Sequence, residues 1–145
     1  MRPVLPGKDE LLMACRGFPL PADDPVLSAA AELAVLHQRR EQTAWAALAV
    51  IDAHRSWLMN TINTWVQVVI PQPVPGARVH TEAIGQVIDR IAQLTAHTYT
   101  ALAGASEEVF WESAEVVEDL AVAYADLVEE LLAGTRRLPM TTTSV

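Results

Sequence analysis

"PVLSAAAELAVLHQRREQTAWAALAVIDAHRSWLMNTINTWVQVVI", residues 25–70, runs for 46 residues with no glycine and no proline after its first position. One straight α-helix of that length would span roughly 69 Å, long for an element of a globular domain. The stretch therefore predicts helix broken or kinked around His37 to Gln42, or else a rod lying along a partner chain. Asp24-Pro25 marks its start, an acceptor for capping followed by a proline whose missing N–H costs nothing in the first turn. Its apolar face collects Leu33, Leu36, Ala44, Ala47, Leu48, Ile51, Leu58, Ile62, Trp65 and Val69, and the same face carries His37, Arg40, His54 and Arg55. Arg55 lies deep in that stripe, between Ile51 and Leu58. A guanidinium buried there needs a carboxylate, because desolvating it alone is costly.

The rest of the chain agrees with an all-α antiparallel bundle. Of 145 residues, 51% are apolar and 19% charged, a globular balance rich in helix formers. Alternating strand-like runs bounded by turn residues are missing. The reading divides the chain into an N-terminal arm (1–24), with a short helix over Lys8 to Arg16, a single bundle domain (25–138) and a disordered tail (139–145). About four main helices are expected. "PQPVPGARV", residues 71–79, is an extended connection, since three prolines exclude a helix. The next helix is expected from Thr81, with its hydroxyl as cap, to about Ala103 before Gly104. Ser106 caps the last, with Glu107 and Glu108 in its first turn and Gly134 closing it.

On residues 82–102, Ile84, Val87, Ile88, Ile91, Leu94, Thr98, Tyr99 and Leu102 share one side at 100° per residue. Glu82, Gln86, Asp89, Arg90, Gln93 and His97 share the other. Between them runs a line of small residues, Gly85, Ala92, Ala96 and Ala103, that lets another backbone approach. A helix docked on that line would partly bury Glu82 and Asp89. The expectation is that Arg55 reaches one of them, with Asp52 and His54 nearby, so that Asp52, His54, Arg55, Glu82, Asp89 and Arg90 form the candidate polar cluster. A register-fixing ion pair is preferred over a catalytic site, because no complete catalytic set can be drawn.

Charge excludes several functions. The net charge is −8, and nine carboxylates after Ala105 face only Arg136 and Arg137. Without a basic stripe, nucleic-acid binding is not expected. Cys15 is the only cysteine, so no internal disulfide and no cysteine zinc site can form. None of the four histidines follows a Glu by three residues, which removes a di-iron bundle. Glu112-x-x-Glu115 resembles half of a magnesium motif, but these acids line the wet side of one helix. No metal and no cofactor are expected. No apolar run suits a signal peptide or a membrane span, which makes the cytoplasm the expected address. Thr143-Ser144-Val145 has the form of a carboxylate-captured peptide, a three-residue match of little specificity.

On the last helix, Phe110, Ala114, Val117, Ala121, Tyr124, Val128 and Leu131 form the apolar stripe. Trp111 and Val122 at its border, with Glu115 and Glu118, form a candidate interaction surface for a basic protein partner. A homodimer is expected from lengths: about 36 Å of third helix cannot cover a 69 Å rod.

"HTEAIGQVIDRIAQL", residues 80–94, resembles the diagnostic run T-E-T-x-G-S-x-I-D-R-L of the domain-of-unknown-function 4254 (DUF4254) family, through Thr81, Glu82, Gly85, Ile88, Asp89 and Arg90. "VIDAHRSWLMNTINTWV" and "LAVLHQRRE", with His37 at the family's histidine, extend the resemblance over about residues 33–103. Ala83 stands for the second threonine, Gln86 for the serine, and Arg39-Arg40 where the family has acids. The resemblance implies an all-helical, usually bacterial fold with a polar cluster around the Thr-Glu and Asp-Arg pairs, and no established activity. Two function classes follow from the whole reading: a non-catalytic interaction or scaffold protein, or a small-anion-binding protein or enzyme using a His/Arg/Asp/Glu cluster between helices.

Overall fold

A computed structural model describes residues 5–20, 23–104 and 106–139. Among the described residues five α-helices carry the fold: α1 (Lys8–Cys15), α2 (Pro25–Glu41), α3 (Leu48–Val69), α4 (Ile84–Gly104) and α5 (Glu107–Ala133). Helix α4 packs against all four others, so it is the axis of the bundle. The tail residues 140–145, including the Thr143-Ser144-Val145 peptide, lie outside the described residues.

The long stretch breaks where a break was expected. Asp24 accepts from the amides of Val26 (2.8 Å) and Leu27 (3.1 Å), starting α2. At the other end the Thr43 hydroxyl donates back to the Arg39 carbonyl at 2.5 Å, and Ala44 is extended. A 3₁₀ turn over Trp45–Ala47 then leads into α3, which packs back on α2. The break removes the length argument for a homodimer, since no 69 Å rod is left to cover. Ala44 and Ala47, placed on the core face by the helical wheel, are exposed because they fall in this turn.

The core joins Leu27, Leu33, Leu58, Ile62, Val66, Ile84, Ile88, Ile91, Ala121, Tyr124 and Leu131. Leu5, Leu11, Leu12, Ala14 and Cys15 belong to the same core, and the Tyr124 hydroxyl donates to the Pro6 carbonyl at 2.8 Å. Burial pushes the Cys15 thiol up to about 12, which leaves it an unreactive core residue.

Two local expectations need correction. Helix α4 begins at Ile84, three residues after Thr81, and its early amide at Gly85 donates to Asn63 Oδ1 of α3 at 2.6 Å. The cap comes from a neighbouring helix because α3 lies so close: a Cβ on Gly85 would sit 2.4 Å from the Met59 carbonyl oxygen. The connection from α3 to α4 also contains a strand. Arg78–Val79 (β1) pairs in parallel with Arg136–Arg137 (β2), and the Val74 and His80 amides donate to the carbonyls of Gly134 and Arg137, each at 2.8 Å. Two-residue strands leave no alternation to read in a sequence. The end of α5 runs as expected, with Ser106 accepting from the Val109 amide (3.3 Å) and Gly134 left-handed at φ 78°.

No helix among the described residues is long and apolar enough to cross a membrane.

Candidate functional site

Three helices meet where Asp89 turns inward. It stands one turn after Gly85 on the small-residue line, and Ala92 and Ala96 beyond it are fully buried. Those side chains let α2 and α3 come close, so the carboxylate enters a seam and is only 8% exposed. Arg55 of α3 meets it with two bonds, Nη2 to Oδ2 at 2.6 Å and Nε to Oδ1 at 3.2 Å. His37 of α2, 3% exposed, donates Nε2–H to Asp89 Oδ1 at 2.8 Å. Arg55 Nη1 also donates to Asp52 at 2.8 Å, and Asp52 takes a fork from Arg40, Nε at 2.8 Å and Nη2 at 3.1 Å.

The result is a continuous chain, Arg40–Asp52–Arg55–Asp89–His37. Helical spacing explains it: His37 and Arg40 are three apart on α2, and Asp52 and Arg55 three apart on α3, so each pair stacks on one face. Its electrostatics are balanced by two guanidiniums and two carboxylates. Burial raises the Asp89 carboxyl, but the hydrogen bonds from His37 and Arg55 outweigh it and leave the group below the usual carboxylate range. The fork from Arg40, and then the single bond from Arg55, hold Asp52 at about 2. Burial opposes the Arg55 charge, yet Asp89 and Asp52 together raise its pKa. Among the described residues no buried side-chain nitrogen or oxygen lacks a partner. The inner end of the chain, His37, Asp89 and Arg55, is closed, whereas Arg40 and Asp52 at its outer end are more than a third exposed.

The remaining members of the predicted cluster part company with it. Glu82 turns away from Arg55 and binds, at 2.5 Å, Nη2 of Arg90, which lies about 100° round α4 from Asp89. His54 points outward, 3.9 Å from Glu32 and with its ring 6.3 Å from that of Trp57, because its position is rotated from Arg55 by a full 100°. His37 and Arg40 were legible as polar residues on the apolar face, and the spacing that pairs them with Asp89 and Asp52 was the missed signal.

Glu82 and Arg90 open onto a cleft of about 240 Å³ between the head of α4 and the middle of α5. Its polar side is His80, Thr81, Glu82 and Arg90, and its apolar wall is made by Val87, Ile91, Leu120 and Leu127, with Tyr124 at the base. His80 is held against the turn before α4, its Nδ1 lying 2.8 Å from the Glu82 carbonyl oxygen and 3.2 Å from the Glu82 amide nitrogen. The Glu82 bond engages Nη2 of Arg90 alone, and the Arg90 side chain is 54% exposed.

The predicted interaction surface on α5 is one outward stripe, since Trp111, Glu115, Glu118 and Val122 recur every three or four residues. Trp111 is 60% exposed, but it packs edge-on against Phe110 and its Nε1–H reaches Glu107 at 3.4 Å. Glu118 is bound by Lys8 at 3.2 Å. Val122 is 45% exposed. Among the described residues no group of three or more His, Cys, Asp or Glu side chains gathers to hold a metal ion.

No family model, curated protein or solved structure matches the chain.

Proposed function

We propose that this chain is a small-anion-binding protein whose ligand occupies the cleft of His80, Thr81, Glu82 and Arg90, while the Asp89 chain next to it holds the helices in register. The observation that carries the reading is the contrast within α4: Asp89 is sealed into a paired cluster, whereas Arg90 faces a walled cleft with one nitrogen engaged. Polar groups on one side of an apolar cavity are the usual make-up of a small-molecule site. Arg90 Nε–H and Nη1–H remain as separate single donors for an anion, since each parallel pair of a guanidinium includes the Nη2 that Glu82 engages. Thr81 and His80 stand on the same rim, and Leu120 and Leu127 offer a short apolar body a surface. At about 240 Å³ the cleft lies below the range that takes drug-sized ligands, so the ligand has few heavy atoms. The resemblance to the domain-of-unknown-function 4254 family belongs to the same proposal, with the Thr-Glu pair serving the cleft and the Asp-Arg pair divided between cleft and lock.

A surface for a basic partner on α5 has less support. Glu118 is already matched by Lys8, and Trp111 by Phe110 and Glu107.

Thermal unfolding in the presence of phosphate and of two- to four-carbon carboxylates tests the reading. A ligand at a hundred times its Kd adds about 2.7 kcal/mol, a shift of several degrees for a domain of this size. Arg90→Gln is expected to abolish the shift. A wild-type chain that responds to none of these anions, or an Arg90→Gln chain that responds equally, overturns the proposal.

A further inference from the structure

Helix α3 has two faces of opposite character. Its inner face supplies Leu58, Ile62 and Val66 to the core. Its outer face is apolar as well: Val50 is 77% exposed, Trp57 63% and Val68 75%, and Trp65, expected on the core face, lies at the border of this one and is 38% exposed. At 100° per residue, Val50, Trp57, Thr61 and Val68 lie within about 20° of one line. Between Ala44 and Ile70 the ionised side chains are Asp52 and Arg55, and both turn inward to the cluster. The outer face thus carries no formal charge, with His54 as its one titratable group.

A groove of about 470 Å³ runs along this face, lined by Trp57, Asn60, Thr61, Thr64, Trp65 and Val68 of α3, with Pro25 at the start of α2 beside them. Leaving indoles in water on a surface helix forgoes stabilisation that burial would provide, so contiguous patches of this kind mark interfaces.

We infer that the groove on α3 seats the same groove of a second copy, giving a two-fold homodimer through antiparallel α3 helices. Charge selects this occupant. The chain carries −8, and copies meeting through α5 would set carboxylates against carboxylates. A basic partner would be drawn to those carboxylates and away from α3. An uncharged apolar strip is complementary to itself, which is what a two-fold interface requires. Trp57 and Trp65 are placed symmetrically about Thr61. A two-fold axis near Thr61 therefore sets each Trp57 against the partner's Trp65, with Asn60 and Thr64 bordering the pair. The Thr61 hydroxyl at the centre already donates to the Trp57 carbonyl at 2.9 Å, so its proton needs no water partner.

Light-scattering mass and sedimentation of the full chain decide the matter. The expected result is twice the mass of one chain, unchanged or strengthened by added salt, because screening weakens repulsion between acidic copies and no interfacial ion pair is lost. Val68→Glu, at a site already open to water, is expected to weaken association at least tenfold without loss of helical circular dichroism. Trp57→Glu should do the same, and Trp111→Ala should leave the mass unaltered. Tryptophan emission should shift to the blue as the wild-type chain is concentrated. A monomer at high micromolar concentration overturns the inference. So does a dimer that survives both glutamate substitutions, one that Trp111→Ala dissociates, or one that salt dissociates.

Discussion

Asp89 and Arg90 are neighbours in the chain and live in opposite environments. Asp89 faces α2 and α3, shares its oxygens between Arg55 and His37, and is nearly closed to water. Arg90, a hundred degrees further round the helix, faces a cleft and holds Glu82 by a single exposed bond. The difference teaches that one charged motif can serve two ends. Charges taken out of water must be fully paired and then act as a fastening, whereas charges left at a cavity rim keep donors for a ligand.

Several substitutions break or sharpen that contrast. The largest effect is expected at the sealed end. Asp89→Ala leaves the partly buried Arg55 guanidinium with Asp52 alone, and should cost about 3–5 kcal/mol in urea unfolding. Gly85→Ala comes next, at about 1–3 kcal/mol, since the new methyl meets the rigid Met59 carbonyl. At the open end, Arg90→Gln should change stability by less than about 0.5 kcal/mol, as exposed surface positions do.

Acid sharpens the same comparison. In the folded chain the Asp52 and Asp89 carboxyls titrate below the usual range, so on acidification the unfolded state takes up protons first. Their stabilisation is complete above about pH 4, the ordinary carboxylate value, and is lost as pH falls toward the folded value, about 2 for Asp52. Unfolding midpoints measured from pH 5 to pH 2 should fall less steeply for Asp52→Asn than for the wild-type chain.

Much of this was legible from the residues. The break expected around His37 to Gln42 and found after Glu41, the caps at Asp24 and Ser106, the stop at Gly134 and the need of Arg55 for an acid all follow from local chemistry. The choice between Asp89 and Glu82 does not. It depends on which side of α4 the neighbouring helices occupy, and Gly85 decides that by admitting the Met59 backbone. His37 and Arg40 were visible as misplaced polar residues, but their partners lie 52 and 12 residues away, and only the return of α3 onto α2 unites them. Asn63 as the cap of α4 was hidden for the same reason, being 22 residues from the amide it accepts. Glu82 and Arg90 were visible as a polar pair, but the cleft was not, because four of its ten lining residues belong to α5.

The central claim is that Arg55 and Asp89 act as one unit. A double-mutant cycle with Arg55→Met and Asp89→Leu, read by urea unfolding, measures that directly. The account predicts that the double variant is more stable than the summed single costs imply, by about 1–3 kcal/mol, because removing both charges leaves neither stranded. Costs that add to within about 0.5 kcal/mol would contradict it.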